Sequence, residues 1–525
     1  MLTAMSAPAK ITYTSSGAAL EEFHKLFDEA LGQVKKRFGR EYPLYINGQA
    51  QRSSLNPITD VSPIDASIVL GKFSVASPEQ VDLAVRAARS AQKEWARMPW
   101  QERLTILRRA AQDIRRRKYE MAAIMCWEVG KSRLEAMGEV EETADLIEYY
   151  CQQMEDAKGY IKPLGRLSPN EKTKSVLRPY GVFACIAPFN FPLALSAGMT
   201  SGALIAGNAV VFKPTQETSW TGLLLYEVYS QAGVPGGVFQ FLSGTGSVTG
   251  NALWKHPEVD GVVFTGSKEV GMNIYKQFSN LYPKPVLMEM GGKNPAVVTA
   301  WADLDKAAEG VMRSAFGLQG QKCSACSRVY VNKKVETAFL EKLLAKTKAI
   351  KIGNPIDRDV FFGPVINAQA VKTFEEAVAE AKKDGQILHG GERLQDGALA
   401  KGYYVAPTIA KLPKDHPLNF RELFVPFVSV VTVSGLDEAI EECNKAEYGL
   451  SAGIFSKDEK EIERFFDEVE SGVCYANRSG GATTGAWPGI QSFCGWKGSG
   501  STGKGGLGPY YVEQFMREQS RTVIE

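Results

Sequence analysis

Val182-Phe-Ala-Cys-Ile186, Ala209-Val-Val-Phe212, Val238-Phe-Gln-Phe-Leu242 and Val262-Val-Phe264 are short apolar runs, separated by helical stretches that include Leu193 to Ile205 and Thr221 to Ala232. Runs that are apolar on both faces need cover on both sides. Strand and helix alternating in this way predict a parallel sheet wrapped by helices, the α/β class. A second block with the same rhythm opens near Gly291 and continues to about Val473. No run approaches the roughly 20 apolar residues that a membrane span needs.

Upstream, the first 40 residues read as a helix, with Leu20, Phe23, Leu26, Phe27, Ala30, Leu31 and Val34 at spacings of three and four. Tyr42 to Ile46, followed by Asn47-Gly48, predicts a strand entering a turn. Ser77-Pro78-Glu79 supplies a cap and a first-turn proline for a helix reaching Ala96. Further helices are expected over Gln101 to Tyr119 and about Glu135 to Gln152. Beyond Gly498 the chain is glycine-rich and then polar. At about 150 residues per domain, the chain has room for two to four domains.

The 525 residues carry 61 Lys plus Arg against 59 Asp plus Glu, a net charge of +2. No basic field is left over to neutralise phosphates, so no nucleic-acid partner is expected. Hydrophobic residues at 44 % and charged residues at 23 % exclude a disordered or collagen-like chain. Met1 to Lys10 lacks a charged region followed by an apolar block, and no secretory signal is expected there. The eight cysteines lie scattered in apolar contexts, and only Cys323-Ser-Ala-Cys326 is closely spaced. A lone pair with no neighbouring histidine is a poor zinc site, so no metal is expected. A reducing, cytoplasmic compartment is the default, with the mitochondrial matrix as its counterpart in a eukaryotic source.

Several stretches carry chemistry. Gly244-Thr-Gly246-Ser-Val-Thr-Gly250 follows a strand but spaces its third glycine one residue late for a dinucleotide fingerprint. Phe264-Thr-Gly266-Ser267 also follows a strand and is expected to open a helix, whose free N–H groups suit a phosphate. In Gly320-Gln-Lys322-Cys323, a neighbouring lysine and a loop-to-helix junction predict a lowered thiol pKa, against the plain alternative of a small buried hydrophobe. Glu289, inside Leu287-Met-Glu-Met-Gly291-Gly-Lys293, is either a solvated strand-end residue or a carboxyl with a raised pKa. Asn190, in Pro188-Phe-Asn-Phe-Pro192, is by itself no more than a turn residue.

Taken together and in order, these stretches resemble the aldehyde dehydrogenase superfamily from about Tyr42 to Thr522. The matching motifs are Pro188-Phe-Asn-Phe-Pro, Lys213-Pro, Phe264-Thr-Gly-Ser, Glu289-Met-Gly-Gly-Lys-Asn-Pro, Gly320-Gln-Lys-Cys, Glu422-Leu-Phe424 and Gly495-Trp-Lys-Gly-Ser-Gly500. The resemblance implies Cys323 as nucleophile, Glu289 as the base that activates water, and Asn190 as an oxyanion donor beside the Cys323 backbone amide. It implies NAD contacts at Lys213, Gln216, Gly246, Gly266, Ser267, Glu422 and Phe424. Gln216 stands where the family often has an acid, which removes repulsion against a 2′-phosphate, so NADP is expected to be accepted beside NAD. Val425 departs from the family's Glu-x-Phe-Gly-Pro run.

The implied fold is a variant Rossmann cofactor domain (1–155 and 181–291), an α/β catalytic domain (292–475) and a small β extension for oligomerisation (156–180 and 498–525). A homodimer or larger homo-oligomer is expected.

Arg40-Glu-Tyr-Pro-Leu-Tyr-Ile46, Glu128-Val-Gly-Lys131, Gly320-Gln-Lys-Cys-Ser-Ala325 and Thr484-Gly-Ala-Trp-Pro-Gly-Ile-Gln491 are similar to one branch, the 1-pyrroline-5-carboxylate dehydrogenases, which oxidise L-glutamate γ-semialdehyde. That resemblance assigns the substrate's carboxylate to Gly485, Ala486 and Ser324, its ammonium to Glu142 and its stem to Phe191. For Glu142 the plain alternative is a solvated helix face shared with Glu139 and Glu141. About three extra residues are expected between Asn477-Arg478 and Thr484. The competing substrates are 2-aminoadipate and succinate semialdehydes, and the competing class is a catalytically silent binding protein.

Overall fold

In the computed structural model, residues 19–480 and 485–525 are described. Met1 to Lys10, Thr484 and most of the expected insertion lie outside them. Two seven-stranded sheets organise the molecule. In the first, Val182–Ile186 lies between Ala209–Lys213 and Gly261–Thr265, with Val286–Glu289 beyond the latter and Phe239–Phe241 beyond the former, all parallel. The chain thus builds outward one way from its first strand and then the other. A doubly wound sheet of this order leaves a crevice at the carboxyl ends of the strands where the direction reverses. A hairpin, Leu44–Ile46 and Gln49–Gln51, extends one edge antiparallel.

In the second sheet Asn294–Val298, Cys326–Asn332, Phe427–Val433, Thr408–Lys411, Ser451–Phe455 and Val473–Ala476 run parallel, with Gln386–His389 antiparallel at one edge. A third sheet of three antiparallel strands joins Met516–Ile524, Glu171–Pro179 and Ile161–Pro163. Within 498–525 only the last strand belongs to that sheet. Leu507, Tyr511, Val512 and Phe515 are buried in the core of the first sheet.

The amphipathic helices follow the sequence closely. Ala19–Lys35 buries Phe23, Phe27, Leu31 and Val34. Pro78–Arg97 starts at a capping box in which Ser77 and Gln80 satisfy each other's backbone N–H groups. Two elements differ from expectation. The helix expected to reach Tyr119 is Trp100–Arg116, and a separate helix, Lys118–Val129, follows it. The second helix is buried all round from Met121 to Val129. A helix with no solvated face carries no 3.6-residue periodicity for a sequence reading to find.

Arg133–Asp156 is the long helix beside the crevice. Its acids do not form a solvated face: Glu139 is sealed against Lys131, and Glu141 Oε1 accepts from Lys118 Nζ at 2.9 Å.

Candidate active site

The crevice is assembled from strand ends. Asn190 follows Val182–Ile186, Lys213 ends its strand, Gly266 and Ser267 follow Gly261–Thr265, and Glu289 ends Val286–Glu289. A cleft there is lined by Asn190, Lys213, Gln216, Gly246, Gly266, Ser267, Glu422, Phe424 and Cys323. Ser267 Oγ accepts the N–H of Val270 at 3.4 Å and so caps helix Lys268–Phe278, whose free N–H groups are the kind of site that takes a phosphate. Burial lowers the Lys213 ammonium to about 8. Glu422 reaches the cleft from the connection between strands Thr408–Lys411 and Phe427–Val433 of the second sheet, and its Oε1 accepts the Gly292 N–H at 2.8 Å. Burial lifts its carboxyl to about 7. A Cβ on Gly291 would lie 1.9 Å from Glu422 Oε2, so a side chain at that position would displace the Glu422 carboxyl. These donors and acceptors fit a dinucleotide: a cation, a helix N-terminus and a carboxyl, spread along one cleft.

A second cavity is lined by Cys323, Glu289, Glu142, Phe191, Ser324 and Ala486, with Tyr150, Phe493, Leu507 and Tyr511 completing an apolar wall. Cys323 and Thr265 line both cavities. The thiol therefore stands where the two meet. Gly485 is not part of the wall. Its φ is +115° and a Cβ there would meet the Arg478 guanidinium at 2.6 Å, which makes it the turning point of the loop carrying Ala486.

The Cys323 loop is held from three sides. Asn294 Nδ2 donates to Cys323 O at 2.7 Å and to Ala325 O at 2.9 Å, while its Oδ1 accepts from Ser451 N. Leu318 and Gln319 just upstream occupy the left-handed region, and Glu135 Oε1 accepts the Leu318 N–H at 2.9 Å. Gly292 admits the loop, since a Cβ there would meet Cys323 O at 2.5 Å.

The expected lowering of the thiol pKa is overturned. The segment leads into strand Cys326–Asn332 rather than a helix. Lys322 directs its ammonium to Glu135 at 3.3 Å. Burial, with the carboxyls of Glu289 and Glu422, pushes the thiol up to about 12, and the backbone N–H groups of Ser324 and Cys323 offset part of that rise.

Glu289 is a strand-end residue with a carboxyl held well above its usual range by burial. The tail pins its strand: Met290 N donates to Ser499 O at 2.8 Å, and Ser501 Oγ accepts from Met288 N and donates to Val286 O. Glu289 Oε2 and Asn190 Oδ1 are buried without hydrogen-bond partners among the described residues. A buried polar atom left unpaired is costly unless a ligand or water completes it.

The profile of the aldehyde dehydrogenase family matches residues 50–521. The chain belongs to the aldehyde dehydrogenase family. A 1-pyrroline-5-carboxylate dehydrogenase of Geobacillus sp. (strain WCH70) is 36 % identical over 512 residues, 96 % of this chain and 97 % of that one. The 1-pyrroline-5-carboxylate dehydrogenase 2 of Bacillus subtilis (strain 168) is 38 % identical over 506 residues, 95 % of this chain and 96 % of that one. The solved structure of a Thermus 1-pyrroline-5-carboxylate dehydrogenase with bound NAD superimposes with a TM-score of 0.93 at 34 % identity, covering 99 % of this chain and all of that one. In this aldehyde dehydrogenase, sequence reasoning missed Tyr150, Phe493, Leu507 and Tyr511 as cavity residues and Asn294 and Glu135 as supports of the nucleophile loop. Only Asn294, inside a quoted motif, carried a signal.

Proposed function

We infer that this aldehyde dehydrogenase oxidises L-glutamate γ-semialdehyde, the open form of 1-pyrroline-5-carboxylate, to L-glutamate with NAD, as in proline catabolism. The observation that carries the reading is the thiol of Cys323 at the junction of the two cavities, with Glu289 and Glu142 in the walls of the inner one. The thiolate adds to the aldehyde carbon, and the oxygen that becomes anionic is met by the Asn190 amide and the Cys323 N–H. NAD, when bound, supplies the hydride acceptor and a cationic ring. Loss of hydride leaves a thioester on Cys323. Glu289 takes a proton from water, the water oxygen adds to the thioester carbon, and the carbon–sulfur bond breaks to release the acid and the thiolate.

In the cleft, Lys213 and Gln216 hold the adenosine ribose, Gly246, Gly266 and Ser267 the pyrophosphate region, and Glu422 and Phe424 the nicotinamide end. In the inner cavity Glu142 faces the ammonium, Ala486 and Ser324 the carboxylate, and Phe191 and Phe493 the aliphatic stem. NADP is accepted beside NAD because Gln216 brings no charge, although Glu217 lines the same cleft.

The chain works as a homo-oligomer. Ile161, Leu164, Val523 and Ile524 of the third sheet and its connection are exposed apolar residues on an element with free strand edges. Among the described residues no helix is long and apolar enough to cross a membrane. The cytoplasm suits its eight free cysteines.

The test compares nicotinamide reduction with L-1-pyrroline-5-carboxylate, succinate semialdehyde and a simple alkyl aldehyde, with NAD and NADP side by side. A preference of about 100-fold for the first, roughly 2.7 kcal/mol in the transition state, supports the reading. Equal turnover of the others overturns the substrate assignment, and no turnover of any aldehyde overturns the enzyme.

A further inference from the structure

Lys131 and Glu139 form an ion pair whose side chains are 1 % and 0 % exposed. A pair so sealed is a poor source of stability, because desolvation offsets the attraction and an apolar pair of similar volume often serves as well. Its placement is more telling. Glu139 Oε1 accepts the N–H groups of Leu193 at 2.8 Å and Ala194 at 3.1 Å, at the start of helix Ala194–Ile205. Lys131 Nζ lies 3.9 Å from the centroid of the Phe191 ring. The pair therefore grips the chain at Phe191, which lines the inner cavity, and three residues after Asn190, which lines the cleft. Glu139 also sits three residues before Glu142 on the rigid helix Arg133–Asp156. One helix thus fixes both the acid in the cavity wall and the segment facing it.

We propose that Lys131 and Glu139 are positioning residues for the reaction: they hold the Asn190 amide and the Phe191 ring in the register at which the amide meets the oxygen of an aldehyde bound to Cys323. The inference rests on the reading of Asn190 as the oxyanion donor. Neither residue of the pair touches substrate, so their effect must pass through Asn190 and Phe191.

A double-mutant cycle on the full-length enzyme separates positioning from general structural support. Turnover is normalised to the titrated Cys323 thiol, and NAD affinity is measured beside it. Asn190→Ala alone is expected to lower kcat by about 100-fold. Glu139→Gln keeps an acceptor but removes the charge, and is expected to lower kcat about tenfold in the parent with NAD affinity unchanged. In the Asn190→Ala background the same change is expected to cost less than about twofold, because the amide it positions is gone. The Lys131→Met/Glu139→Gln pair, which leaves no unpaired ammonium buried, is carried through the same cycle in case the single variant does not fold. An equal factor in both backgrounds, or parent kcat in the neutral pair, overturns the proposal. Parent kcat in Asn190→Ala overturns the reading of Asn190 itself, a result visible without any Glu139 variant.

Discussion

The two cavities that meet at Cys323 are built in different ways. The outer cleft is made by the ends of neighbouring parallel strands: Asn190, Lys213, Gly266 and Ser267 each lie within four residues of the strand that positions them. The inner cavity draws on helix Arg133–Asp156, the segment after Pro192, the Cys323 loop and the tail from Ala486 to Tyr511. These segments are far apart in the chain, and their contacts set the shape of the wall. Trp487 Nε1 donates to Asp145 Oδ2 at 2.7 Å, Leu507 N donates to the Tyr150 hydroxyl at 3.0 Å, and Gln153 Nε2 donates to Gly508 O at 2.7 Å. Cofactor contacts on the first sheet are thus set by local structure, whereas the inner cavity, with Cys323 and Glu289 in its wall, is set by long-range packing.

Substitutions can break or sharpen this contrast. The largest effect is expected at the junction itself: Cys323→Ala should lower oxidation of every aldehyde by about 10⁴-fold or more, since the covalent route is lost, while NAD binding measured by calorimetry persists. Selective loss for one aldehyde alone would mean that Cys323 belongs to the inner cavity only. Glu289→Gln comes next. Steady-state turnover should fall about 10²–10⁴-fold, while a burst of reduced nicotinamide of about one per thiol remains, because acylation precedes the need for the base.

The pH dependence follows from the same residue. Only the ionised carboxylate can take a proton from water, and burial raises the pKa of Glu289. Hydrolysis should therefore gain rate as pH rises through that raised value and lose it as pH falls. A thiol at about 12 also gains thiolate with rising pH. In Glu289→Gln the limb due to the carboxylate should vanish from the deacylation rate measured by rapid mixing, and its persistence would assign the limb elsewhere.

Glu142→Gln tests the inner cavity alone. A charge-assisted hydrogen bond contributes about 1.5–3 kcal/mol, so kcat/KM for the amino-bearing semialdehyde should drop by roughly 10–150-fold. Succinate semialdehyde, which has no ammonium, should be unaffected, and an equal loss for both would make Glu142 structural. The smallest effect belongs to the outer cleft. Gln216→Glu restores an acid and should shift preference from NADP to NAD by about tenfold, or 1.4 kcal/mol, with aldehyde selectivity unchanged. No shift would move the discrimination to Glu217.

Legibility in the sequence follows the same division. Four of the five parallel strands and the capped helix after Ser77 were readable, because a strand or a cap acts within a few residues of its own signal, while the cleft residues were readable only through the resemblance of their motifs to the family. Lys118–Val129 was not, since burial on every side removes periodicity. Glu139 and Glu141 show the converse error. An acidic run suggests a solvated face, yet both carboxylates are buried against lysines contributed by other segments. Gly485, read as an anchor from its motif, sits at the turn that carries Ala486 into the wall.

By itself the sequence determined the α/β class and the alternation of strand and helix, because backbone propensity is a local property, and the motifs shared with the family singled out Cys323, Glu289 and Asn190. The tertiary structure alone decided that Lys322 serves Glu135 rather than the thiol, that Asn294 holds the nucleophile loop, and that the tail pins the strand bearing Glu289. Charge environment and cavity shape are sums over groups distant in the chain, and only folding brings those groups together.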